Sequence, residues 1–259
     1  MSRSLTILGA GYTARFVLPV ALRRYAHVLV TSRDPDRQLS HLAPGQRIRF
    51  DLAKNETWNN IAVETDLLWC FPAAPPALVK RFAATLKAPS RRLVVLGSTS
   101  AYKVPLSTDY PPPWIDETAP IDLAKPRVRG EEFLRSDCGA IVLRVAGIYG
   151  PGRNPLDWIR AGRVSPSRKY VNLIHVEDLA TICLAALTHG RTGDVYNVSD
   201  GTPRTWQDIC HVARDRWAVS STAEKEDTAA GKRIANGKLL RKLGIAILHS
   251  DLFAELAVL

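Results

Sequence analysis

The glycine-rich turn GAGYTA at residues 9–14, set directly behind the apolar run Leu5–Leu8, most narrows what this chain can become. Gly9, Gly11 and Ala14 stand where a strand–turn–helix unit that cradles a diphosphate needs them. Gly9 permits the tight turn, and Gly11 puts no side chain in the path of the anion. Ala14 lets the helix lie close on the strand while its first amides face the anion, so that Tyr12 and Thr13 join the binding positions. A second strand-like run, His27–Thr31, ends about 20 residues further on, as a dinucleotide-binding unit requires.

The rest of the first 145 residues keeps the same rhythm. The runs Leu5–Leu8, His27–Thr31, Arg47–Phe50, Asp66–Cys70, Leu93–Leu96 and Ala140–Val145 read as strands, and Thr13–Arg24, Ala77–Lys87 and Arg127–Arg135 read as crossover helices. Several strand runs are apolar on consecutive positions, as in strands covered on both faces. The expected fold is therefore α/β: a doubly wound parallel sheet of the Rossmann type, built from residues 1–150 and returning near 172–200, with a small C-terminal substrate lobe made mainly from 151–259. Pro19 should bend the first helix. Beyond residue 150 helices are expected at Glu177–Leu187 and Thr205–Trp217 and a strand at Val195–Val198, with the polar stretch Ser220–Gly231 as a mobile loop.

Composition excludes other classes. With 46% hydrophobic and 23% charged residues the chain can bury a sizeable core and is not disordered. The net charge of +10, with 25 arginines among 35 basic residues, favours phosphate-bearing ligands. No helix-turn-helix, zinc or RNA-binding aromatic signature accompanies that charge, so nucleic acid is not the expected partner. Cys70, Cys138, Cys183 and Cys210 form no CxxC pair, which excludes a zinc or dithiol motif and suggests buried, reduced thiols. The apolar stretch near the start is interrupted by Thr6, Gly9, Gly11, Tyr12 and Arg15, unlike a secretory leader, and no run suffices for a membrane span. A cytoplasmic protein, a monomer or homodimer acting on a small molecule, is expected.

The end of the second strand bears on the cofactor. A site specific for NAD places an acidic side chain there for the ribose 2′-hydroxyl, whereas this chain has Thr31, Ser32 and Arg33. Arg33 suits a 2′-phosphate, Ser32 can add a hydrogen bond, and Arg37 lies one turn on if the chain curls back. NADP is thus expected ahead of NAD; the alternative for Arg33 is a surface pair with Asp34 or Asp36.

Five segments in order, GAGYTA at 9–14, LVVLGSTSAY at 93–102, VLRVAGIYGPGR at 142–153, NLIHVEDLA at 172–180 and DVYNVSDGTP at 194–203, together resemble the extended short-chain dehydrogenase/reductase superfamily, specifically its NAD-dependent epimerase/dehydratase family, and its atypical members in particular. The resemblance implies an NAD(P)-dependent oxidoreductase or epimerase-like enzyme. It implies that Asp51 and Leu52 meet the adenine region, that Phe71, Pro72 and Ala73 form the loop under the adenosine ribose, and that Ser98 and Thr99 bond the substrate oxygen. It further implies that the segment from Arg144 to Ile148, with Ala146, runs beside the nicotinamide. Arg153 is expected in the substrate crevice. His175 and Asp178 are read as the start of a helix whose apolar face carries Leu179, Cys183 and Leu187, not as a catalytic dyad.

The departure lies in the acid. The family uses a tyrosine followed four residues later by a lysine, and none of the seven tyrosines here has that neighbour. The segment before RGEEF puts Leu123 in the tyrosine place and Arg127 in the lysine place. Leucine carries no proton, while Arg127 can still hold ribose hydroxyls as a fixed charge. A relocated acid could be Tyr102, Tyr149 or Lys125. The alternative is a catalytically silent NADP-binding protein that senses redox state or partners another protein.

Overall fold

The structure is a computed structural model that describes residues 3–62, 64–86, 92–103, 109–223 and 230–259. Its first half runs β1 (Ser4–Leu8), α1 (Tyr12–Leu22), β2 (His27–Ser32), α2 (Pro35–Gln38), β3 (Arg47–Arg49), β4 (Asp66–Trp69), α3 (Pro76–Ala83) and β5 (Leu93–Ser98). There follow β6 (Trp114–Ile115), α4 (Pro126–Cys138) and β7 (Ile141–Val145). The second half holds β8 (Gly147–Tyr149), α5 (Pro155–Arg160), β9 (Tyr170–Val171), β10 (Leu173–His175), α6 (Val176–His189) and β11 (Val195–Val198). It closes with β12 (Arg204–Thr205), α7 (Trp206–Trp217), β13 (Arg233–Ile234), α8 (Gly237–Leu243) and α9 (Leu252–Leu256).

Seven of these strands form one parallel sheet in the order β11-β7-β5-β4-β1-β2-β3. This is the doubly wound Rossmann arrangement expected from the alternating runs, and its order reverses between β1 and β4. The two-residue period of a strand divides the side chains between two cores. Leu5, Ile7, Leu68, Ile141, Leu143 and Val145 face the core beneath α1 and α6, whereas Leu8, Leu67, Trp69 and Val95 face the one beneath α3 and α4. Leu179, Cys183 and Leu187 of α6 are fully buried, as their spacing required.

Several expectations shift. The helix α1 starts at Tyr12 and runs through Pro19 to Leu22, two residues short of the expected end. The strand expected at Val195–Val198 is present and pairs with β7 at the edge of the main sheet. A third apolar cluster, including Tyr149, Leu173, Ile209 and Leu252, joins α5, α7 and α9. All four cysteines are free, but Cys138 is exposed at the end of α4, against the expected burial, because the helix ends there at solvent. Lys87 and residues 224–229 of the expected loop lie outside the described residues. Among the described residues no helix is long and apolar enough to cross a membrane.

Candidate functional site

The fingerprint turn occupies the reversal point of the sheet. Gly9 takes φ +97°, and its amide donates to Thr31 Oγ1 at 2.9 Å, which ties the end of β1 to β2. A β-carbon at Gly9 would lie 3.1 Å from Phe71 Cδ1, so the loop after β4 closes tightly on the turn. At Gly11 a β-carbon would meet nothing within 4 Å. Gly11 caps α1 without a side-chain bond, and no acidic residue occupies the first turn, which leaves amides and the positive end of the helix dipole available to an anion. Ala14 and Thr13 are buried against the sheet.

Beside this turn lies a cleft of about 440 Å³ whose lining includes Gly9, Gly11, Thr31, Ser32, Arg33, Gln38, Phe50, Asp51, Leu52, Phe71, Pro75 and Leu78. Arg33 is exposed and makes no hydrogen bond or ion pair among the described residues. Its surface partners are engaged elsewhere: Asp34 accepts the Arg37 amide at 3.4 Å, and Asp36 pairs with Arg47 at 3.1 Å. Ser32 is less free than its residue type suggests, since its hydroxyl lies 2.6 Å from Gln38 Oε1 and accepts the Asp34 amide at 3.0 Å. Asp51 lines the cleft with one carboxylate oxygen accepting the Ala53 amide at 2.9 Å. Pro72 is exposed, whereas Ala73 is buried under α4.

A second cluster forms at the carboxyl end of β5. Ser98 Oγ accepts the Ser100 amide at 3.2 Å and lies 3.3 Å from Ser100 Oγ; Thr99 is half-buried beside it. Arg127 donates to Ser100 Oγ at 2.9 Å and stands 3.0 Å from Glu131 Oε1, close enough for an ion pair but misaligned for a hydrogen bond. Glu131 is 2% exposed, and burial pushes its carboxyl up to about 7 against the opposing pull of Arg127 and Arg144. Lys125 donates to the Ser100 carbonyl at 2.8 Å. Lys232 reaches the Tyr102 carbonyl at 2.5 Å and the Thr99 carbonyl at 3.5 Å, with burial and the neighbouring Lys125 charge lowering its pKa.

The two tyrosines considered for the acid role are built in. Tyr102 is 1% exposed, donates to Asn197 Oδ1 at 2.6 Å and lies under the Arg144 guanidinium, 4.6 Å from its ring centroid. Tyr149 is fully buried, and its hydroxyl faces the His249 carbonyl at 3.4 Å. Burial raises the pKa of both. Leu123, at the position where the resemblance implies a tyrosine, is 51% exposed.

Arg153 stacks over Tyr12, 4.2 Å from its ring centroid, and the Tyr12 hydroxyl donates to the Pro151 carbonyl at 3.0 Å. Arg153 therefore stands at the mouth of the fingerprint helix. Ala146 is buried just past β7, its amide bonded to Val198 O at 2.9 Å. His175 caps α6 and stacks on His249 at 4.1 Å, while both Asp178 oxygens accept backbone amides, from Leu248 at 3.1 Å and His249 at 2.9 Å. Asp178 is thus an anchor, in line with the helix-start reading.

Sequence reasoning did not single out Lys232, Glu131, Asn197 or His249. The four-residue spacing from Arg127 to Glu131 was a legible ion-pair signal. Nothing local marks Lys232, which reaches the turn only because β13 pairs with β6. A larger cleft of about 830 Å³ lies beside the edge strand between Asp116–Ile121, Arg135 and Arg241, and among the candidate residues it touches only Arg144.

No family model matches the chain. Against curated proteins it is 38% identical over 58 residues to Protein YeeZ of Escherichia coli K12, a match spanning 22% of this chain and 21% of that protein. Solved structures match over its full length. A putative NAD-dependent epimerase/dehydratase from Methylobacillus flagellatus aligns with TM-score 0.76 and 21% identity over 100% of this chain and 97% of that one. A short-chain dehydrogenase/reductase superfamily protein from Agrobacterium tumefaciens with bound NAD aligns with TM-score 0.77 and 14% identity over 99% and 96%. The chain has the fold of these proteins.

Proposed function

We propose that this chain is a cytoplasmic NADP-binding member of the short-chain dehydrogenase/reductase superfamily, of the epimerase/dehydratase kind, that oxidises or reduces a small hydroxyl- or carbonyl-bearing substrate. One observation carries the reading most. The cleft at the sheet's reversal point joins an uncapped helix start, an open position at Gly11 and an unpaired Arg33, with no acidic side chain where a 2′-hydroxyl would be bound. The chain's own groups fit a dinucleotide: amides from Tyr12 onward for the diphosphate, Asp51 and Leu52 for the adenine end, Phe71 beneath the ribose, Arg33 for a 2′-phosphate and Arg127 for ribose hydroxyls. When bound, the nicotinamide supplies or accepts hydride.

Ser98 and Thr99 stand at the carboxyl end of a central strand, where a substrate oxygen can be held. Lys125 is the sequence candidate for proton donor that remains on this turn; Tyr102 and Tyr149 have their hydroxyls committed to Asn197 and to the chain at His249. That commitment also favours a second reading, a protein that binds NADP without turning over.

Fluorescence titration with NADPH and NADH tests the assignment. NADPH binds the parent more tightly, and Arg33→Asp weakens it by on the order of 10- to 100-fold, the loss of a charge-assisted pair of roughly 1.5–3 kcal/mol. Equal affinities in the parent would remove NADP from the reading. NADPH consumption against a panel of carbonyl and sugar-nucleotide substrates separates enzyme from silent binder.

A further inference from the structure

The turn that follows β5 gathers more positive charge than it neutralises. Lys125 Nζ, the Arg127 guanidinium and Lys232 Nζ all end on the backbone or hydroxyl of Thr99–Tyr102, at 2.8, 2.9 and 2.5 Å. Asp122 answers Lys125 at 3.3 Å, and buried Glu131 answers Arg127 at 3.0 Å. Lys232 has no carboxylate within ion-pair distance among the described residues; burial and the Lys125 charge act against its own charge, and the more distant Asp122 carboxylate supports it. The same place holds the start of α4, a helix of 13 residues whose cap, Lys125, offers no side-chain acceptor and whose first turn has no acidic residue. Three cations against two carboxylates leave this turn and the positive end of the helix with an excess of positive charge, which a further anion would offset. Ser98 and Thr99, the hydroxyls for a substrate oxygen, lie on that turn.

We propose that Lys125, Lys232 and the start of α4 form an anion subsite, so that the substrate carries a carboxylate or phosphate close to its reacting oxygen. The inference rests on the functional reading above and narrows its substrate class. A carboxylate or phosphate placed there pairs with two flexible ammonium groups, while Ser98 and Thr99 hold the neighbouring hydroxyl or carbonyl. A neutral carbonyl compound leaves the lysines facing one another.

The test is titration of inorganic phosphate and of malonate, by thermal shift and calorimetry, with NADP saturating the fingerprint site. The parent binds one or both, and Lys125→Met and Lys232→Met each weaken that binding about tenfold or more while NADPH affinity stays within about twofold; these two residues are not among those assigned to the cofactor. Lys232→Arg, which keeps the charge, retains anion binding and guards against a misfolded Met variant. Turnover of glyceraldehyde 3-phosphate against glyceraldehyde, and of acetoacetate against 2,4-pentanedione, then tells a phosphate from a carboxylate preference. No anion binding to an NADP-loaded parent, or equal binding by parent and Met variants, overturns the subsite. Failure of NADPH to bind overturns the functional reading instead, and the anion titration of the cofactor-free protein still reports the lysines.

Discussion

A β-carbon on Gly11 would meet no atom within 4 Å, and the backbone there, at φ −74° and ψ −172°, is extended and open to any residue. Binding and folding therefore separate at this position. Gly11→Val is expected to abolish NADPH and NADH binding, because a branched side chain occupies the approach to the helix amides, and to move Tm by no more than about 2 °C, the small change typical of a surface substitution. Fluorescence titration and thermal melting check both halves. Gly9 is the contrast: its positive φ and the Phe71 ring 3.1 Å from its β-position make it a requirement of the turn itself. Both glycines were legible in the fingerprint, but only the packing shows that the turn itself needs Gly9 whereas the position at Gly11 is open.

At the scale of elements, α4 lies so close to the loop after β4 that a β-carbon on Gly130 would fall 1.9 Å from the Ala73 carbonyl oxygen. That approach buries Ala73 and holds the Phe71–Ala74 loop beside the cleft. Gly130→Ala forces the helix outward, and the strain outweighs the better helix propensity of alanine; a loss of roughly 1–3 kcal/mol is expected. For a chain of this size that lowers Tm by about 2–4 °C per kcal/mol, and NADPH affinity falls with it because the loop moves. An unchanged Tm would show that the helix shifts freely. The sequence marks Gly130 only as a helix-weakening residue; the reason for it is a contact between elements 57 positions apart.

Across the whole molecule, Glu131 couples the folded state to pH. Its carboxyl titrates near 7 in the fold and near 4.3 in an unfolded chain, so between these values the folded state holds the extra proton. Stability from this group is therefore greatest below pH 4.3, declines as pH rises and is fully lost above about 7. Burial is the cause, and Arg127 and Arg144 offset only part of it. The shift amounts to the order of 1–3 kcal/mol between pH 8 and pH 5.5. His175 acts oppositely: burial lowers its pKa, so it costs stability as pH falls below its unfolded value. Comparing denaturant unfolding of the parent and Glu131→Gln at the two pH values isolates the glutamate. The variant is expected to gain less stability on acidification than the parent, whatever its absolute stability, and equal gains would place the carboxyl in its ordinary range.

The sequence by itself determined the parts whose cause is local. Period and composition marked the strands of the main sheet and the crossover helices, since a strand covered on both faces must be apolar at consecutive positions and an amphipathic helix must repeat near 3.6. The glycine turn, and with it the proposal for Arg33, was likewise legible, because the groups a helix start offers to a phosphate are adjacent in the chain. Only the tertiary structure shows what surrounds the acid candidates. Tyr102 and Tyr149 are equally able phenols in the sequence, and burial against Asn197 and the chain at His249 commits both. It also decided that Lys232, more than a hundred residues away, ends beside Thr99, and that a buried carboxylate sits under Gly97, where a β-carbon would come within 2.7 Å of Glu131. Such groups are chosen by which elements meet across the sheet, and the electrostatic cost of bringing them together appears only once water has been excluded between them.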